Sequence, residues 1–147
     1  MIGNYTMSMF SNLIKQIKQS SFQAESKHSG DEFEDLVLQD LFHRGFTEIQ
    51  TNVHMIGTGC EIDFIADSIE FVECKGGKTG GKKRPGAKRT DNVKKAIANA
   101  CLIKTMYNNI YYVVYFSSEP VPKSYSEEML HTALKFGIID EVRYLEY

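Results

Sequence analysis

The sequence predicts an α/β domain with a mixed β-sheet flanked by helices, and three observations carry that prediction. Phe33, Leu36, Val37 and Leu41 repeat at helical spacing. Between Phe46 and Lys75 the pattern turns strand-like and is cut by two turn segments, Gly57–Gly59 and Asp67–Ser68. Beyond Gly86, helical and strand-like stretches alternate to the end of the chain. The 147 residues, 42% hydrophobic and 24% charged, match the length of one domain and suffice for a core, which excludes wholesale disorder.

In order, residues 1–28 form an N-terminal extension. Phe10, Leu13, Ile14 and Ile17 predict a short amphipathic helix over Met9 to Gln19, packed on the domain or on a second copy. Ser29 followed by Glu32 is a capping-box pattern and Gly45 is a stop, so the first core helix is expected over Gly30 to Arg44. Phe46 to Met55, Glu61 to Ala66 and Ile69 to Lys75 read as an antiparallel meander. Gly76 to Gly86, rich in glycine and bases and holding Pro85, reads as a flexible loop. A second helix is expected over Thr90 to Tyr107, with Val93, Ile97, Ala100 and Cys101 inward. Ile110 to Phe116, almost all β-branched or aromatic, has the composition of a central strand. After a loop closed by Pro120 and Pro122, a helix over Ser126 to Phe136 and a strand over Ile138 to Leu145 complete the order αα-βββ-α-β-α-β.

The formal net charge of -2 argues at first against a nucleic-acid partner. Its distribution argues the other way. From Asp31 to Glu73 there are eleven acids and one base, Arg44; from Lys75 to Lys95 there are nine bases and one acid, Asp91. An acidic block joined directly to a basic block points to cation binding and an anionic partner. No apolar run reaches the roughly eighteen residues of a membrane span, and no targeting segment is seen, so a cytoplasmic setting is expected. Cys60, Cys74 and Cys101 read as reduced thiols, and the four histidines stand at no zinc-ligand spacing.

The chemistry is expected on two strands. In Glu61-Ile62-Asp63-Phe64-Ile65-Ala66, a period of two puts Asp63 on a face with Glu61 and Ile65, opposite Ile62, Phe64 and Ala66. In Ile69-Glu70-Phe71-Val72-Glu73-Cys74-Lys75 it puts Glu73 and Lys75 opposite Val72 and Cys74. Charges on such apolar strands are costly unless paired or bound to a metal. A two-residue turn at Asp67–Ser68 lets Asp63 approach Glu73, and two carboxylates with a strand carbonyl suit a hard cation such as Mg²⁺. A buried salt bridge of Lys75 with Glu73 or Asp63 is the plainer alternative.

Asp63 followed by Glu73-Cys74-Lys75 resembles the motif of the PD-(D/E)XK nuclease superfamily, with Ile62 in place of the proline. Gly30-Asp31-Glu32-Phe33-Glu34, on a helix ending at Gly45-Phe46, is similar to the family's first core helix with its glutamate. The resemblance covers about Gly30 to Phe116 and implies a restriction-endonuclease-like core of order αβββαβ within residues 29–147. It further implies catalytic roles for Glu34, Asp63, Glu73 and Lys75. Asp63 and Glu73, with Glu34, would hold Mg²⁺ (Mn²⁺ substituting), while Lys75 would orient or deprotonate water or stabilise the transition state.

Lys78, Lys82, Lys83, Arg84, Lys88, Arg89, Lys94 and Lys95 begin where the catalytic strand ends and are the candidate contacts to DNA phosphates. Gly76-x4-Gly81-Lys82-Lys83 falls short of a phosphate-binding P-loop because it lacks the final Ser or Thr, so no nucleotide cofactor is expected. The expected activity is a Mg²⁺-dependent DNA endonuclease, structure-directed like a Holliday-junction resolvase. A compact restriction endonuclease and a non-catalytic DNA-binding or assembly protein are the alternatives. A homodimer is expected, joined through the N-terminal helix or the Tyr144–Tyr147 end.

Overall fold

The computed structural model describes residues 28–77, 80 and 83–146, with side chains from Glu32 onward; the N-terminal helix expected over Met9 to Gln19 lies outside them. Helix α1 (His28–His43) leads into strands β1 (Ile49–Met55), β2 (Cys60–Ala66) and β3 (Glu70–Lys75). A short 3₁₀ turn (Gly86–Lys88) and helix α2 (Thr90–Met106) follow, then β4 (Tyr111–Phe116), α3 (Tyr125–Lys135) and β5 (Glu141–Tyr144). The five strands form one mixed sheet in the order β1-β2-β3-β4-β5. The first three are antiparallel, whereas β4 runs parallel to β3 and β5 parallel to β4.

The sheet is sandwiched between helices. On one face Phe33, Val37, Leu38 and Leu41 of α1 pack on Phe64, Ala66, Val72, Cys74, Val113 and Tyr115. On the other, Val93, Ala96, Ala100 and Ile103 of α2 and Leu130 and Ala133 of α3 pack on Ile62, Ile65, Tyr112, Val114 and Phe116. Both faces of β4 are covered, which explains its run of β-branched and aromatic residues.

Local chemistry sets the boundaries. Gly45 adopts φ +98 and ends α1 by the left-handed route that glycine permits. The helix begins at His28, so Ser29 lies within it instead of capping it. Asp67 and Ser68 both take positive φ in the two-residue turn between β2 and β3. The Asp67 side chain then accepts from the backbone N–H of Thr47 at 3.0 Å and Glu48 at 2.6 Å, fixing the entry to β1. Cys101, expected inward, is exposed. The buried stripe of α2 runs through Val93, Ala96, Ala100 and Ile103, and Cys101 stands one step off it.

Candidate active site

β2 and β3 pair as Ala66↔Glu70, Ile65↔Phe71 and Phe64↔Val72. Continuing that register by one residue puts Asp63 opposite Glu73. The backbone ladder stops there, and the Cys74 N–H donates to the Asp63 carboxylate (Oδ2) at 2.6 Å. The strands part at this point, and a side chain occupies the place of a ladder acceptor.

The same point breaks the period of two. Ile62 and Ile65 both belong to the core under α2 and α3, whereas Phe64 and Ala66 belong to the core under α1. The expectation that Ile62 shares a face with Phe64 is therefore overturned at Asp63. Asn52, across β1 from Asp63 by the same register, has φ +51. A left-handed residue inside a strand turns the outer half of the β1–β2 hairpin about its axis, so Val53 and Ile62 swing toward α2.

β3 keeps its alternation. Val72 and Cys74 face α1, while Glu73 is turned toward α2 and is only 1% exposed. Burying a carboxylate this deeply requires partners, and three are present. Asn99 of α2 donates from Nδ2 to Glu73 Oε1 at 2.9 Å, the Tyr112 hydroxyl of β4 donates to Oε2, and the Lys75 ammonium is bonded to Oε1. The buried ion pair that the sequence left open thus exists between Lys75 and Glu73.

Electrostatics tie the four expected residues together. Burial pushes the Asp63 carboxyl up to about 6, against the Cys74 N–H and Lys75, which lower it; Glu73 and Glu61 add to the rise. Burial works against the Lys75 ammonium, but Glu73 and Asp63 outweigh it and hold its pKa above the ordinary lysine value. The buried Cys74 thiol is driven well up, first by burial and then by the charges of Asp63 and Glu34. Glu34, half-buried on α1, is thus close enough for its charge to be felt beside the two strand acids. Burial and the adjacent Glu73 hold the Tyr112 phenol far above its usual range.

Asp63 and Glu73 offer hard carboxylate oxygens at one strand junction, a donor set suited to Mg²⁺ or Mn²⁺. Among the described residues no three His, Cys, Asp or Glu side chains are grouped to hold one ion, so Glu34 is near these acids without completing a triad. Asn99 and Tyr112 were missed from sequence. A signal existed for Tyr112, since a tyrosine buried in a central strand needs a partner for its hydroxyl.

Of the expected phosphate contacts, Lys78 and Lys82 lie outside the described residues. Lys83, Arg84 and Lys88 are exposed, and Arg89 pairs with Asp91 at 3.5 Å. Lys95 is exposed, one helical turn before Asn99. Lys94 instead lines a groove of about 640 Å³ between α2 and α3, with Ile97, Tyr125 and Met129. Among the described residues no helix is long and apolar enough to cross a membrane. Comparison with protein-family models, with curated proteins and with solved structures finds no match to this chain.

Proposed function

We propose that this chain is a metal-dependent DNA endonuclease with a PD-(D/E)XK-type site and a restriction-endonuclease-like core. The observation that carries the reading is the junction where β2 and β3 part. There the Asp63 carboxylate accepts from the Cys74 N–H, one residue past the end of the ladder, and Lys75 reaches back to the Glu73 carboxylate. The element order, with α1 before an antiparallel meander and α2 before a parallel β4, agrees with that core.

In this reading Asp63 and Glu73 would hold Mg²⁺, which would supply charge stabilisation for the phosphoryl oxygens and a more acidic water. Lys75, kept as an ammonium, donates to the attacking water or to a phosphoryl oxygen. Glu34 adds negative charge behind the pair. Lys83, Arg84, Lys88 and Lys95 contact backbone phosphates, so binding weakens steeply with salt. The chain acts as a homodimer, because two strands must be cut.

The test is incubation with a four-way junction, supercoiled plasmid and linear duplex in Mg²⁺, beside Glu73→Ala and Asp63→Asn. The expected result is cleavage by the wild type and a loss of about a thousandfold in either variant. Symmetric nicking of the junction alone identifies a resolvase, and discrete plasmid fragments identify a restriction enzyme. Cleavage that persists in both variants, or binding to DNA without cleavage of any substrate, overturns the catalytic reading.

A further inference from the structure

The three partners of Glu73 are not equivalent. Tyr112 is fully buried on β4, between β3 and β5, and its hydroxyl is committed to Oε2. Asn99 Nδ2 donates to Glu73, and its Oδ1 lies 3.6 Å from the Cys60 thiol, whose single hydrogen is shared between Asn99 and the Thr58 carbonyl, also at 3.6 Å. Cys60 is itself fixed, since its N–H donates to Thr58 Oγ1 at 3.0 Å. These two donors are neutral and stand on packed elements. Lys75 is charged, flexible, and ten times more exposed than the carboxylate it touches, 20% against 2% for the side chains.

From this asymmetry we infer that Tyr112 and Asn99 are positioning residues that fix the Glu73 carboxylate, while Lys75 is a resident cation that a divalent ion displaces from Oε1. The inference rests on the nuclease reading and adds to it a division of labour around one side chain. A carboxylate accepts about four hydrogen bonds through its two oxygens, so the neutral donors stay in place when the cations exchange. Two like charges on one oxygen repel, so Lys75, the more exposed partner, would be the one to yield to a divalent ion. Neutral partners that orient a ligating carboxylate contribute about 10–100-fold to metal affinity or activity.

Opposite signs are therefore expected for substitutions around the same carboxylate. Mn²⁺ affinity of the intact protein, measured by titration calorimetry without DNA, should fall about tenfold or more in Tyr112→Phe and in Asn99→Ala. It should rise in Lys75→Gln, where the competing ammonium is gone. Two neutral-donor variants on different elements guard against one of them failing to fold, which circular dichroism reports directly. With cleavage as a second readout, Tyr112→Phe and Asn99→Ala should raise the Mg²⁺ concentration for half-maximal rate more than they lower the rate at saturation. If both bind Mn²⁺ like the wild type, or if Lys75→Gln binds more weakly, the division of labour is wrong. If instead wild type and Glu73→Gln bind Mn²⁺ equally poorly, the metal site itself fails, which is a distinct result.

Discussion

Glu70 and Glu73 lie on one strand, both almost wholly buried, and they are treated in opposite ways. Glu70 receives two hydrogen bonds from the Arg143 guanidinium, at 2.8 and 2.7 Å. Arg143 also binds Glu141 through Nε and Nη2 and donates to the Tyr115 hydroxyl, which donates in turn to Asp40. Every charge there meets a geometrically matched partner, the fork-to-carboxylate arrangement that arginine makes and lysine cannot. Around Glu73, among the described residues, Lys75 is the cation bonded to the carboxylate, and its charge is shared with Asp63. A complete network serves the fold; two carboxylates sharing one described cation is the asymmetry that the metal-binding reading predicts.

The largest expected effect breaks the complete network. Arg143→Ala leaves Glu70 and Glu141 without their guanidinium and should cost about 3–5 kcal/mol of stability, read from the urea midpoint at unchanged slope. Mn²⁺ binding by the folded fraction should be unaffected. An equal loss from Lys75→Gln would show that the two regions do not differ in kind.

Asp63→Asn should move stability the other way. A carboxyl held at about 6 instead of 3.8 is favoured when protonated, so its contribution is full below 3.8 and lost as pH rises through 6. Above that range the wild type carries a handicap of about 3 kcal/mol that the amide does not. Thermal melts should find Asp63→Asn more stable at pH 8 and the two proteins equal near pH 3. A variant less stable than wild type at pH 8 would mean that Asp63 is a satisfied structural acid after all.

A smaller effect separates the packing at the two ends of β3. Gly76 follows Lys75, and a Cβ built there would lie 2.6 Å from the Phe33 Cβ, a side chain with no exposure. Gly76→Ala should cost about 1–3 kcal/mol by forcing α1, with Glu34, away from the strand end. The weakest test compares adjacent tyrosines. Tyr111 donates to Glu141 at 3.1 Å in an exposed setting, so Tyr111→Phe should cost no more than about 1 kcal/mol and leave Mn²⁺ affinity alone. Its neighbour Tyr112 should do the reverse.

Much of this was legible in the residue order. The strand alternation of Val72, Glu73, Cys74 and Lys75 places Cys74 in the α1 core and Glu73 toward α2 as expected, because β3 is a regular strand. Helical periodicity located α1, α2 and α3 to within a few residues. The change of face at Asp63 was not legible, because a left-handed Asn52 on another strand rotates the hairpin, and no local pattern encodes that. Asn99 was missed because an asparagine on a helix is ordinarily solvated; only the packing of α2 on the sheet brings it to Glu73. Lys94 and Lys95 look alike in sequence, yet one helical step sends Lys94 into the α2–α3 groove.

The stem of the basic loop has a consequence for how such a protein can change. A Cβ on Gly77 would stand 3.3 Å from the Pro85 Cα, Ser117 donates to the Gly77 carbonyl at 3.0 Å, and Ser118 donates to that of Pro85 at 2.7 Å. Both ends of the segment are thus clamped to the residues after β4, and Ser117 also donates its N–H to the Lys75 carbonyl at 3.3 Å. Lengthening a segment whose ends already meet costs little, about 0.6 kcal/mol for each doubling. A different sequence grafted between the anchored Gly77 and Pro85 is therefore expected to leave β3 and β4 folded while changing what the segment meets.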